Sequence, residues 1–117
     1  MWGLLVAVPM LQTMPVVPDH LRVEFLERPL GVATSKPRFS WWVTSAQAPA
    51  RQVGYQVQVR SGADVVWDTG RVGSSNSQLI EYAGEKLSSG QGLEWRVRLW
   101  DGANRAGKWS SWERFRI

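Results

Sequence analysis

The chain has 117 residues, no cysteine, 14 basic and 10 acidic side chains, and a net charge of +4. That length fits one domain able to bury a core without staples, and the missing thiols exclude disulfides and thiolate metal sites. The charge excess is mild and its arginines fall singly on alternating positions, so the clustered basic face of a nucleic-acid binder is not expected.

Residues 1–20, MWGLLVAVPMLQTMPVVPDH, carry no Lys or Arg and are interrupted by Pro9, Pro15 and Pro18. The apolar run from Trp2 to Leu11 fits part of a secretory signal, but the basic start and small-residue cleavage pattern are missing. It is too short and too broken for a membrane span. This stretch is expected to be a degenerate signal, a linker or sequence ahead of the true start, with the domain proper at 21–117. Removing Met1 to Val17 is then expected to leave the fold intact. Localisation stays open, with an extracellular or periplasmic setting favoured by the apolar run.

From Leu21 onward the pattern has period two, which predicts strands. LRVEFLE sets Leu21, Val23 and Phe25 against Arg22 and Glu24. RFSWWVT sets Phe39, Trp41 and Val43 against Ser40, Trp42 and Thr44. VGYQVQVR sets Tyr55, Val57 and Val59 against Gln56, Gln58 and Arg60. DVVWDTG is short and ends at a glycine, and SQLIEY is a fifth candidate. LEWRVRLW sets Leu93, Trp95, Val97 and Leu99 against Glu94, Arg96, Arg98 and Trp100. SWERFRI sets Phe115 and Ile117 against Trp112, Arg114 and Arg116.

Turn chemistry separates these runs: SKP, AQAPA, SGAD, TGRVGSS, AGEKLSSGQG and DGANRAG. No window has a helical period. About seven short antiparallel strands at this spacing predict an all-β sandwich, each strand burying one face against the opposite sheet.

The ordered set of motifs resembles the N-terminal fibronectin-type-III-like (immunoglobulin-like) domain of bacterial α-L-rhamnosidases. LRVEFLERPLGVATSKPRFSWWV is similar to the opening strand, Pro-Leu-Gly turn and Pro-Arg-Phe-Ser-Trp strand of that family. GYQVQVRSGADVVWDTGRVGSSNS is similar to the next hairpin, and EYAGEKLSSGQGLEWRVRLWDGANRAGKWSSWERF to the last two strands. The resemblance covers Leu21 to Ile117. It implies a non-catalytic accessory module of a glycoside hydrolase acting on terminal rhamnose, with neighbouring domains as partners. The catalytic carboxylates of such enzymes lie in an α/α barrel, which these residues cannot build. The resemblance also implies a corner tyrosine six residues after Leu87, where this chain has Leu93. Apolar packing would survive there without the hydroxyl's hydrogen bond.

The eight tryptophans need accounting for. Trp41 and Trp95 fall on inward positions and are expected in the core. Trp67 is expected to cap one end of it. On the outer face the last two strands are expected to be neighbours. Their Arg96, Arg98 and Arg114 are expected to stack with Trp100 and Trp112. Such a ladder would brace the final hairpin; a sugar-stacking platform or a protein-docking surface is the alternative use of the same face. The WSSW spelling is similar to the Trp-Ser-x-Trp-Ser box of cytokine receptors, though Glu113 stands in the last place.

Nothing here predicts catalysis or a cofactor. A glycosidase needs two carboxyl groups facing one cleft, and Glu24, Glu27, Asp64, Asp68, Glu81, Glu85, Glu94, Asp101 and Glu113 are scattered along the chain. Asp68 and Asp101 each follow a tryptophan at a strand end and are expected to bind turn backbone. His20, the single histidine, cannot form a histidine-based metal cluster.

Overall fold

The computed structural model describes residues 16–45 and 51–117. The apolar run from Trp2 to Leu11 and the AQAPA turn lie outside the described residues. Among the described residues seven strands form: β1 (Val17–Val23), β2 (Arg38–Thr44), β3 (Gln52–Ser61), β4 (Asp64–Asp68), β5 (Ile80–Glu81), β6 (Gly92–Asp101) and β7 (Glu113–Arg116). They make two antiparallel sheets, one of three strands in the order β1-β2-β5 and one of four in the order β4-β3-β6-β7. This is the all-β sandwich that the alternating pattern predicts, with the immunoglobulin-like form that the resemblance implies.

The spine of the fold is the β3–β6 pair. Tyr55 lies opposite Leu99, Val57 opposite Val97, and Val59 opposite Trp95. The inward members of both strands therefore meet on one face and are buried. Phe39 and Trp41 of β2 close on them from the other sheet, fully buried. The Phe39 ring centroid lies 4.6 Å from that of Trp95 and 5.7 Å from that of Phe115. Burying each such side chain contributes about 1.5–3 kcal/mol. Trp67 is half-buried at one end, 5.9 Å from Phe39 and 5.1 Å from Tyr82. The β3–β4 hairpin turns on two residues, Gly62 and Ala63, with Gly62 at φ 60°. That is a conformation a glycine adopts without steric cost.

Three departures from the alternating pattern have physical causes. First, β1 begins at Val17, four residues ahead of Leu21, with Val17 opposite Thr44. Pro18 does not interrupt it, because β1 is an edge strand and an edge position does not require every N–H. Second, the strand stops at Val23, and Phe25, expected inward, is 56% exposed. Val23 and Leu26 exchange backbone hydrogen bonds of 2.8 and 2.9 Å, while Glu24 and Phe25 take φ 50° and 67°. Third, β5 is only two residues long. Leu79 at φ 57° breaks the ladder, and its N–H is accepted at 2.9 Å by the hydroxyl of buried Ser40 instead.

The early start of β1 bears on the expectation that removing Met1 to Val17 leaves the fold intact. Val16 is 3% exposed and belongs to the core cluster, and the carbonyl of Val17 accepts a hydrogen bond from Thr44. Truncation after Val17 is expected to lose about 1–2 kcal/mol relative to truncation after Pro15, as read by thermal melting of the two variants.

At the corner before β6, Leu87 and Leu93 are both 3% exposed, so apolar packing is kept where the family tyrosine is missing. A tyrosine hydroxyl does close the opposite end of the same connection. Tyr82 donates to the Glu85 carbonyl, and burial, reinforced by the Glu85 charge, pushes its pKa up to about 12.

Candidate functional site

The outward residues of the four-stranded sheet form one connected polar system. Across β3 and β6, Gln56 lies opposite Arg98, Gln58 opposite Arg96, and Arg60 opposite Glu94. Each pair is hydrogen-bonded. Arg98 Nε donates to Gln56 Oε1 at 3.0 Å, Arg96 Nε to Gln58 Oε1 at 2.9 Å, and Arg60 Nε to Glu94 Oε1 at 2.9 Å. Both glutamine amides then donate to Asp68 on β4, one to each carboxylate oxygen, at 2.8 Å. Asp68 Oδ1 also accepts the Gly70 N–H at 2.8 Å, the turn-binding role its position predicts. Burial raises the Asp68 pKa, but these hydrogen bonds and the Arg98 charge outweigh it and hold the carboxyl below its ordinary value.

The rings arrive from the far side of β6. After a turn at Asp101, whose Oδ1 accepts the N–H groups of Ala103 and Arg105 at 2.9 Å each, the chain runs back along β6 without forming a regular strand. The Gly107 N–H is bound to the Leu99 carbonyl at 2.8 Å, and Ser110 N–H to the Val97 carbonyl at 2.9 Å. The Ser110 hydroxyl accepts the Val97 N–H at 3.1 Å and donates to the Ser111 carbonyl. Ser110 thus satisfies both backbone groups of Val97, and Trp109 and Trp112 on either side of it lie over the arginines.

The result is an alternating stack of seven side chains, Arg60–Trp112–Arg96–Trp109–Arg98–Trp100–Arg71. Successive guanidinium-to-ring-centroid distances are 3.9, 4.4, 4.3, 4.7, 5.0 and 5.0 Å. Two guanidiniums at 3.9 and 4.4 Å from the Trp112 centroid must take opposite faces, since sharing one would press two cations together. Burial, followed by the charges of Arg60 and Arg98, lowers the pKa of Arg96. The negative ring faces and the Gln58 oxygen are what hold a cation there.

Of the five residues singled out by sequence, Arg96, Arg98, Trp100 and Trp112 meet in this stack, and Arg114 does not. Arg114 lies opposite Glu94 on β7 and, among the described residues, stacks on no ring. Arg60 reaches from the other side of β6, is held by Glu94, and stacks on Trp112, one of the two rings expected to meet Arg114. Sequence reasoning left out Trp109, Arg60 and Arg71 as members. Trp109 precedes β7, so a period-two reading gives it no face. Its spacing of three from Trp112 is the available signal, because an extended chain with three residues per turn returns to the same side.

The remaining chemistry is dispersed. Glu24 pairs with Arg38 at 2.9 Å, Asp101 with Arg105 at 2.6 Å, and Glu113 with Arg28 at 3.6 Å, each in a different part of the domain. His20 stacks on Trp42 with centroids 3.7 Å apart. Among the described residues no three His, Cys, Asp or Glu side chains are placed to hold a metal ion. Nor is any described helix long and apolar enough to cross a membrane.

Comparison with known proteins gives this chain relatives. A family described as "Rha78A-like, N-terminal immunoglobulin domain" matches residues 18–117. An α-L-rhamnosidase of Streptomyces avermitilis is 42% identical, the match covering 78% of this chain and 10% of that protein. The crystal structure of the Streptomyces avermitilis enzyme complexed with L-rhamnose superposes with a TM-score of 0.81 at 36% identity, covering 87% of this chain and 10% of that one. The α-L-rhamnosidase structure from Dictyoglumus thermophilum gives 0.80 at 35% identity, over 86% of this chain and 12% of that one. The chain therefore spans about a tenth of the length of the relatives it matches.

Proposed function

Since the chain belongs to the family of Rha78A-like N-terminal immunoglobulin domains, we propose that it is a non-catalytic accessory module of an α-L-rhamnosidase, working beside the domains that carry the chemistry. The observation that carries this reading is the confinement of the match to that one domain, about a tenth of each relative. The reading is supported by the engagement of Glu24, Glu94, Asp101 and Glu113, each in its own ion pair with a different arginine. In this reading the Trp/Arg stack is a brace. It ties the irregular segment 107–112 onto β6 and links it through Gln56 and Gln58 to β4.

The rival use of that face is sugar stacking. A sugar needs a free ring face, and the faces of Trp112 and Trp109 each have a guanidinium over them within 4.7 Å. The test is direct. The purified chain is expected to release no phenol from an aryl α-L-rhamnoside and to give no saturable heat when titrated with L-rhamnose. Turnover that survives purification and is lost on replacing one carboxylate of this chain would overturn the accessory reading.

A further inference from the structure

The connection between β1 and β2 carries an apolar patch that the domain does not use. Phe25 is 56% exposed, Leu26 55% and Leu30 78%. Three large apolar side chains are turned to solvent within six residues of one connection, unlike the isolated exposures found on most surfaces. The backbone holds them there against its own preference. Glu24 and Phe25 both take left-handed φ in a turn that ordinarily uses Asn-Gly, and Arg28 does so at φ 47°. Strain retained at the surface points to an external contact.

The patch lies beside the end of β7. The Arg116 N–H is bound to the Pro29 carbonyl at 3.0 Å and the Val32 N–H to the Arg116 carbonyl at 2.9 Å. Leu30 lines a shallow groove together with Leu93, Phe115, Arg114 and Arg116. In the relatives the matched region is an N-terminal domain of about a tenth of the polypeptide, so the remainder adjoins this domain on the side where the matched strand β7, with Arg114 and Arg116 of this groove, leads out.

Resting on the accessory-module reading, we propose that the Phe25–Leu26–Leu30 patch is the seat of the adjoining domain of an α-L-rhamnosidase polypeptide. The complementary surface is apolar, with a carboxylate at its rim that faces Arg114. This assigns Arg114 to a docking rim instead of the ring stack.

The experiment replaces the aligned N-terminal domain of the Streptomyces avermitilis α-L-rhamnosidase with this chain. Aryl-rhamnoside hydrolysis reports that the remainder has folded, and amide hydrogen exchange is compared with that of the isolated chain. Exchange at residues 24–31 is expected to slow at least tenfold in the chimera, and Leu30→Ser is expected to restore it. Slowing confined to other faces overturns this patch and leaves the accessory reading standing; no slowing anywhere overturns both. The isolated chain supplies a second arm that stands even if the chimera is inactive. There Leu26→Ser and Leu30→Ser are expected to leave the melting temperature unchanged, and Phe25→Gly to raise it by about 3 °C by releasing the turn. A fall of more than about 5 °C in these variants assigns the residues to the domain's own fold and overturns the proposal. A dimer of the isolated chain in sedimentation, dissolved by Leu30→Ser, makes a second copy the occupant and likewise overturns it.

Discussion

Trp41→Ala lowers the stability of the domain by about 3–5 kcal/mol in denaturant melts, the range for truncating a buried large aromatic. Trp41 is fully buried between the sheets, 6.5 Å from Trp95 and 5.4 Å from Tyr55 by ring centroids. The upper end of the range is expected, because the indole also has a polar task. Its Nε1 donates to Gln52 Oε1 at 2.9 Å, and Gln52 is 3% exposed. The Gln52 amide in turn donates to the carbonyls of Ser74 and Asn76 at 3.0 and 2.8 Å, pinning the loop after β4. Alanine leaves a cavity and an unpartnered buried carbonyl oxygen together. Trp41→Phe keeps most of the volume and loses only the donor, so it is expected to cost about half as much. A loss below about 1 kcal/mol for alanine would place Trp41 outside the core and shift the register of β2 by one residue.

Gly84→Ala is expected to cost about 3 kcal/mol, far more than a methyl group usually does at a loop position. A Cβ built on Gly84 would lie 2.5 Å from the Val66 carbonyl oxygen, 2.5 Å from Trp67 Cβ and 2.7 Å from the Tyr82 hydroxyl. The first of these is backbone and cannot swing aside. The loop is held against β4 there by the Glu85 N–H to Val66 carbonyl bond of 3.1 Å, so relief requires lifting the whole turn. Lifting it exposes Trp67 and releases the Tyr82 hydroxyl from Glu85. Denaturant melts of the variant measure the loss. A loss under about 1 kcal/mol would mean that the loop does not pack on β4 as described.

Much of this architecture is legible in the sequence where a strand has one dry face and one wet one. In β3 and β6 the alternation Tyr55-Val57-Val59 and Leu93-Trp95-Val97-Leu99 names the core directly, because pleating forces successive side chains to opposite faces. Legibility fails where that rule is suspended. An irregularity between Gln52 and Gly54 turns Gln52 inward, so an apparently outward glutamine becomes the buried partner of Trp41. Left-handed residues at Glu24, Phe25 and Leu79 end pairing without a glycine to announce it. The ring stack is half legible for the same reason. Arg96, Arg98 and Trp100 sit on a regular strand, whereas Trp109 lies in a segment bound to β6 through Ser110, where strand periodicity carries no information.

The measurement that bears most directly on the claim that the Trp/Arg face is a brace is a double-mutant cycle between Arg96 and Trp112, whose guanidinium and ring lie 4.4 Å apart. Arg96→Ala removes two stacks and the partner of Gln58; Trp112→Ala removes the ring between Arg60 and Arg96. Each is expected to lower stability by about 2 kcal/mol, with a coupling of about 0.5–1 kcal/mol, so that the double variant loses less than the sum. L-rhamnose titrated into the wild type is expected to give no saturable heat. Unchanged melting temperatures in all three variants, together with saturable rhamnose binding that Trp112→Ala abolishes, would contradict the account and make this face a sugar site.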